Sequence, residues 1–315
     1  MPQGGQQLIH QHFHQIDGCP RFRFPDFDMF NGETMSVKNK TKFTQPCSID
    51  SFRDVEKWIA EMGFNFRNSR FGVAKKVYEH WHETSIVPSH EELWSLCELM
   101  DLLELHNHFS KENVDPQMIR RIISGCNLLS DESDTTARNY LFEFKVASRF
   151  KRSGFTIIDD PAHDVVVEFE GNKLYIECKR FKNYKKMSER IKYAYETQLA
   201  LVEKRCKQGA IFLDFSRVVY QKLINSTEQP WTDMNVLSEW RDSYDLMLKG
   251  MLEENHSNIL LDVKMCVIYY TFPAFIEQDG IPKLAKLNHF ATITANEDNV
   301  TRTILNSLQG SVGNI

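Results

Sequence analysis

Two acidic residues and a lysine border a stretch in which apolar and polar residues alternate. Asp164 precedes the first alternating run, and Glu177 and Lys179 lie at the end of the second. Two carboxylates that converge repel each other unless a cation lies between them, and hard divalent ions such as magnesium prefer oxygen ligands. A lysine beside such an ion can stabilise the charge that develops on a phosphate oxygen. These residue types in this order therefore suit metal-assisted hydrolysis of a phosphodiester.

The same stretch is predicted to form a β-hairpin, because the two runs flank Gly171-Asn172, a dipeptide that can form a two-residue turn. Centred on that turn, Asp164 lies opposite Lys179. Alternate residues of a strand share a face, so Asp164, Glu177 and Lys179 come together at the end far from the turn. The other face is apolar, with Val165, Val167, Phe169, Leu174, Ile176 and Cys178. A competing interpretation is a half-exposed hairpin with a charged outer face, in which Asp164 and Lys179 form a cross-strand ion pair.

With its flanking segments, over roughly 135–216, this stretch resembles the PD-(D/E)xK, or restriction-endonuclease-like, nuclease superfamily. The resemblance implies a core of one helix, three strands, a second helix and a further strand. It also implies a metal site in which Asp164 is the first acid and Glu177 and Lys179 are the (D/E)xK pair. Many branches of the family add a glutamate from the preceding helix, and Glu143 matches it. His163 replaces the proline of the family name.

The roles of the site residues follow from the resemblance. Asp164 and Glu177 would bind Mg²⁺ or Mn²⁺, with the carbonyl of Cys178 as a further ligand. Glu143 would hold a second ion or a water molecule, although a salt bridge to a neighbouring arginine is an alternative explanation for a carboxylate at the edge of a buried helix face. Gln198 matches a glutamine that some branches place on the second helix, and a buried structural amide is the other explanation.

Basic residues crowd the segment after the hairpin. Their position beside the acids favours contact with phosphates, which would give salt-dependent and largely sequence-blind affinity. An ordinary solvated surface is the competing explanation. The candidates for nucleic-acid contact are Arg180, Lys182, Lys185, Lys186 and Arg190.

Composition narrows the class of protein. A net charge of −5 argues against a generally basic DNA-coating protein, so a nucleic-acid site must be a local basic patch. The seven cysteines are scattered without a Cys-x-x-Cys pair, which argues against disulfides and zinc fingers and for a reducing compartment. No signal peptide is evident, and the longest apolar run, Val263 to Ile276, is too short to span a bilayer. We expect a soluble, cytoplasmic protein.

Three regions are predicted along the chain: an irregular extension over 1–45, a helical region over 46–130, and a nuclease-like domain over 131–315. The expected fold class is α/β (α+β), with a mixed central sheet of about five strands flanked by helices. Ser89 and Glu92 predict a capping box that starts a long helix. The charges of the helical region are interpreted as solvated faces. This region could serve packing, homodimer formation or substrate contact.

The functional hypothesis is a divalent-metal-dependent nuclease that acts on nucleic acid, with DNA preferred over RNA and no membrane partner. The alternative hypothesis is a catalytically silent module that keeps the nuclease fold and serves nucleic-acid binding or assembly.

Overall fold

The computed structural model describes residues 36–44, 49–112, 114–130, 135–200, 208–226, 234–278, 281–294 and 301–305. The described residues belong to one compact unit, Thr34–Ile315.

One mixed sheet of seven strands forms the centre of this unit. The strands are β1 (Ser36–Thr44), β2 (Thr156–Ile158), β3 (Val165–Phe169), β4 (Asn172–Arg180), β5 (Gly209–Asp214), β6 (Met265–Gln278) and β7 (Ile281–Thr294). Their order in the sheet is β1-β7-β6-β5-β4-β3-β2. β4, β5 and β6 run parallel to one another, and the other neighbouring strands are antiparallel. All of β5 is buried, as expected for a central strand that is covered on both faces.

Helices cover both faces of the sheet. They are α1 (Ile49–Glu61), α2 (Arg70–Thr84), α3 (His90–Phe109), α4 (Pro116–Ile123), α5 (Thr136–Arg152), α6 (Met187–Tyr193), α7 (Ser216–Ser226) and α8 (Met234–Asp262). A π-helical segment, Ala194–Leu199, continues α6. Helices α1 to α5 pack on one face, and α6 to α8 pack on the other. No helix in the described part of the chain is long and apolar enough to cross a membrane.

The prediction of a mixed sheet flanked by helices and preceded by a helical region is confirmed. The order α5, β2, β3, β4, α6, β5 contains one helix, three strands, a helix and a strand. The predicted capping box at the start of α3 is present as well, with the Ser89 side chain bonded to the backbone of Glu92 and the Glu92 side chain bonded back to Ser89. The sheet has seven strands where about five were expected, because β1 and β7 extend it at one edge.

Strand β1 corrects part of the expectation that residues 1–45 are irregular, and the rest of that range, 1–35 and 45, lies outside the described residues. Residues 36–44 pair antiparallel with β7 along their whole length, at one edge of the sheet. Lysines at every second position, Lys38, Lys40 and Lys42, are typical of an edge strand, where charge discourages pairing with another chain. The polar sequence therefore reflects the edge position and does not indicate irregular structure.

The hairpin forms with a register that differs from the predicted one. Val165 pairs with Ile176 and Phe169 pairs with Asn172, so the two turn residues are Glu170 and Gly171. Both have positive φ, 50° and 77°, as a type I′ turn requires. The predicted pairing of Asp164 with Lys179 is therefore wrong by two residues. A shift of two leaves every side chain on the same face, so the predicted apolar face is preserved.

Helix α3 corrects the interpretation that the charges of the helical region are solvated. Glu98, Asp101 and Glu104 of this helix are all buried. Each faces cations from other elements: Arg70 and Arg138 at Glu98, Lys145 and Lys286 at Asp101, and Arg149 at Glu104. The acids tolerate burial because each is paired with a cation. These ion pairs connect α3 to α2, α5 and β7.

Candidate active site

Three of the predicted side chains meet where β3 begins and β4 ends. Lys179 Nζ lies 3.0 Å from Asp164 Oδ2 and 3.1 Å from Glu177 Oε2. The backbone N–H of Cys178 donates to the same Asp164 oxygen at 2.8 Å. The ammonium group of Lys179 thus bridges two carboxyl groups on adjacent strand ends.

The competing interpretation, a charged outer face with an Asp164–Lys179 pair, accounts for only part of this arrangement. The pair is present, and the side chains of Asp164 and Lys179 are 21% and 14% exposed. Glu177, however, is completely buried, at 0% exposure. Removing a carboxyl group from water costs free energy of folding unless the group is hydrogen-bonded. Glu177 is therefore not a solvated surface charge.

Glu177 is bonded at both oxygens. Its Oε1 lies 3.0 Å from Nδ1 of His163, and its Oε2 contacts Lys179. His163 is itself buried, and its ring packs against Tyr175 with 5.0 Å between ring centres. Sequence reasoning noted His163 only as the residue in place of the family's proline. The available signal was a histidine adjacent to the first acid, which alone does not identify its partner.

Glu143 of α5 is half-buried on the helix that packs against β3 and β4. No residue that the structure describes forms a hydrogen bond or an ion pair with its carboxyl group, so the salt bridge considered as an alternative is not observed. Burial raises the pKa of Glu143 to about 7, the charge of Asp164 adds to the rise, and Lys179 partly opposes it. The electrostatic influence of Asp164 and Lys179 shows that Glu143 belongs to the same group of side chains.

The electrostatics of Glu177 have the same origin. Burial, and then the neighbouring charge of Asp164, raise the pKa of Glu177 to about 8 despite the contact with Lys179. Burial alone would lower the pKa of Lys179, but Asp164 and Glu177 outweigh it and the pKa is raised. The site therefore contains more acid than one lysine can neutralise.

Comparison with family models, with curated proteins and with solved structures gives no match to this chain. The carboxyl groups of Glu143, Asp164 and Glu177 are oxygen donors of the kind that a hard divalent cation prefers. Within the described ranges, no group of three or more His, Cys, Asp and Glu side chains is already spaced to hold an ion. The donor set fits Mg²⁺ or Mn²⁺ in chemical type, and Lys179 lies between two of the donors.

The predicted basic cluster divides into an exposed part and a buried part. Lys185 and Lys186 are exposed on a short 3₁₀ turn, Tyr184–Lys186. Arg190 is half-buried and donates to the carbonyl of Arg180 at 2.7 Å. Arg180 is buried and its Nε lies 3.3 Å from Asp214 of β5, so it is not part of the exposed surface; its contact with nucleic acid stays a prediction. Lys182 is half-buried.

Gln198 lies in the π-helical segment that continues α6 and is half-buried. Its side-chain oxygen is buried and accepts no hydrogen bond from any part of the chain that the structure describes. No hydrogen bond joins it to Glu143, Asp164, Glu177 or Lys179. Its catalytic role stays a prediction, as does the proposed ligation by the carbonyl of Cys178.

Proposed function

We propose that this chain is a divalent-metal-dependent nuclease that hydrolyses phosphodiester bonds in DNA. The observation that carries the proposal is the state of Glu143. Its carboxyl group is half-buried, has no partner among the described residues, and is close enough to Asp164 for that charge to raise its pKa to about 7. Lys179 contacts Asp164 and Glu177 but not Glu143, so this third acid lies beside Asp164 without a cation bonded to it. A divalent ion is the partner that this arrangement lacks.

Each side chain has a distinct role in the proposal. Asp164, Glu177 and Glu143 would hold Mg²⁺ or Mn²⁺, which when bound stabilises charge on phosphate oxygens and strengthens water as a nucleophile. The ammonium group of Lys179 can stabilise the negative charge that develops on a phosphate oxygen. The carboxylate of Glu143, which a bound ion would keep ionised, can also orient an attacking water molecule.

The surface beside the site supports an anionic, polymeric substrate. Lys185 and Lys186 are exposed a few residues after the end of β4, which carries Glu177 and Lys179. Lysines placed there can neutralise successive backbone phosphates without reading the base sequence. The net charge of −5 means that this patch is local, as expected for a protein that binds DNA at one site.

The test is incubation of the full chain with linear, circular, branched and single-stranded DNA, and with the matching RNA, with and without Mg²⁺. We expect metal-dependent cleavage that is abolished in Asp164→Ala and in Lys179→Ala, while circular dichroism shows that both variants stay folded. Cleavage that persists in both purified variants would reject the assignment.

A catalytically silent nucleic-acid-binding module is the second candidate function. It is favoured by the position of Lys179, which already occupies the space between Asp164 and Glu177 and could replace an ion permanently. The two candidates differ in how the protein responds to metal. A nuclease gains thermal stability from Mg²⁺ and loses that gain in Asp164→Ala, whereas the silent module binds DNA and shows no response to Mg²⁺ in either protein.

A further inference from the structure

His163 occupies a constrained place between β2 and β3. Its backbone N–H donates to the carbonyl of Asp160 at 3.3 Å, and the next backbone N–H upstream, that of Ala162, donates to the Asp160 side chain at 3.0 Å. The side chain is buried against Tyr175. The turn therefore fixes the backbone of the residue immediately before Asp164 and directs the ring of that residue towards the hairpin.

The ring of His163 contacts the acid on the neighbouring strand. Its Nδ1 lies 3.0 Å from Oε1 of Glu177, while Lys179 contacts Oε2 of the same carboxyl group at 3.1 Å. The last torsion of a glutamate side chain is soft, so a carboxyl group bonded at one oxygen can still rotate. Contacts at both oxygens fix the plane of the Glu177 carboxyl group. Its Oε2 then faces Lys179, which also contacts Asp164.

We propose that His163 is a positioning residue for Glu177: by holding Oε1, it orients the carboxyl group so that Oε2 is available to a divalent cation in the site. This inference rests on the proposed metal-dependent function. Partners that orient ligating side chains contribute strongly to metal sites, and their loss weakens metal affinity by about 10- to 100-fold. His163 thus performs a role that the proline of the family motif, which has no side-chain hydrogen bond to offer, could not perform.

A purely structural role is the competing explanation, since a buried histidine that packs against a tyrosine and satisfies a buried acid also stabilises a core. The two roles differ in their geometric requirement. The amide nitrogen of asparagine occupies nearly the place of Nδ1 in histidine, whereas that of glutamine occupies nearly the place of Nε2. An orienting contact at Nδ1 should therefore be replaced by asparagine and not by glutamine.

The test measures Mn²⁺ binding directly, by electron paramagnetic resonance of the free ion, in the full-length protein without substrate. We expect His163→Phe and His163→Gln to weaken Mn²⁺ binding about 10- to 100-fold, and His163→Asn to restore most of the affinity. The Mg²⁺ concentration for half-maximal cleavage should rise in the same order, while kcat at saturating Mg²⁺ changes little. His256→Phe is the matched control, because His256 is also buried but its ring nitrogens bond to no described residue.

The outcomes separate the two proposals. If wild-type protein binds no Mn²⁺, both the metal-dependent function and the role of His163 are overturned. If wild-type protein binds Mn²⁺ and His163→Phe binds it equally well, only the role of His163 is overturned. Should His163→Phe fail to fold, the comparison of His163→Asn with His163→Gln decides, and equal Mn²⁺ affinity in those two variants overturns the inference.

Discussion

The backbone N–H of Cys178 donates a 2.8 Å hydrogen bond to Oδ2 of Asp164. This bond holds the side chain of Asp164 against β4, at the residue between Glu177 and Lys179. The positions of the acids therefore depend on the pairing of β3 with β4 and not on surface side chains alone.

Asp164→Asn removes the negative charge of this residue and keeps an oxygen that can accept the hydrogen bond from Cys178. The amide oxygen of asparagine can still accept from Cys178, so we expect a small change in melting temperature. Removal of the charge should lower the pKa values of Glu143 and Glu177, because Asp164 contributes to raising both. Metal-dependent cleavage should fall by about 100-fold or more, the scale for loss of one electrostatic group in an active site. Single-turnover cleavage measures the effect.

Glu168→Gln is the matched control for Asp164→Asn, since Glu168 is a half-buried acid on β3 of the same hairpin. It should cleave like the wild type. Equal losses in both variants would mean that the hairpin as a whole, and not the site, responds to the loss of a carboxylate.

Lys179→Met should abolish cleavage and also make the protein depend on metal for stability. Without the ammonium group, Asp164 and Glu177 lose the cation between them, and breaking such a pair destabilises by roughly 2 kcal/mol or more. Added Mg²⁺ should return most of that stability, and the gain should exceed the gain in wild-type protein. Urea unfolding with EDTA or with Mg²⁺ gives both quantities. If Mg²⁺ does not change the free energy of unfolding of this variant, these acids bind no ion.

Glu143 and Glu177 should make the metal-free protein less stable as the pH rises. The pKa values of Glu143 and Glu177 are raised to about 7 and about 8, from 4.5, by burial and by the charge of Asp164. The folded state therefore binds more protons than the unfolded state between these values, and the stabilisation present at low pH disappears as the pH passes through the folded pKa values. We expect this contribution to the free energy of unfolding to fall steadily between pH 5 and pH 8.5.

Mg²⁺ should reverse this pH dependence, because a cation favours the ionised acids, and its stabilising effect should grow with pH. Urea titrations at the two pH values, with EDTA or with Mg²⁺, check both statements. The double variant Glu143→Gln/Glu177→Gln should show a flatter profile. A metal-free wild type whose stability falls no more steeply with pH than that of the double variant would contradict the assigned pKa shifts.

The sequence was sufficient to predict which side chains meet, and insufficient to predict how. Alternation along β3 and β4 places Asp164, Glu177 and Lys179 at one end of a hairpin in any register that differs by two residues. The observed register places the turn at Glu170-Gly171, which requires a positive φ at Glu170. A glutamate rarely adopts that conformation, so the sequence favoured a turn at Gly171-Asn172 instead.

Long-range partners explain the other differences. The periodicity of α3 predicts an apolar stripe, but whether its acids face water depends on cations such as Lys286, which lies 185 residues away from Asp101. Likewise, β1 is recognisable as a strand only through β7, at the other end of the chain. Local patterns carry no information about pairs of this kind.

The buried ion pairs of α3 should be essential to stability. Glu98 accepts hydrogen bonds from Arg70 and from Arg138, the latter at 2.6 Å and 3.1 Å. Glu98→Gln would remove the anion that two buried guanidinium groups share, which should destabilise the protein by about 3 to 5 kcal/mol. Glu61→Gln is the control, because among the described residues Glu61 pairs with Lys57 alone, at the exposed surface, and its effect should stay within about 0.5 kcal/mol. Urea unfolding of the two variants tests the contrast.

The exposed lysines of the 3₁₀ turn should govern the affinity for DNA and not the chemistry. Lys185→Gln/Lys186→Gln removes two positive charges beside the site, so binding should weaken for all sequences alike. The slope of log K against log salt concentration should decrease by up to about two, since each phosphate contact contributes about 0.9. Fluorescence anisotropy at several salt concentrations, with Ca²⁺ in place of Mg²⁺, measures the slope.

The control is Lys57→Gln/Lys111→Gln, which removes the same charge from two other exposed positions. Lys57 lies on α1, and Lys111 lies shortly after the end of α3. An equal change of slope in both pairs would show that net charge alone attracts DNA and that the turn makes no specific contact with phosphates.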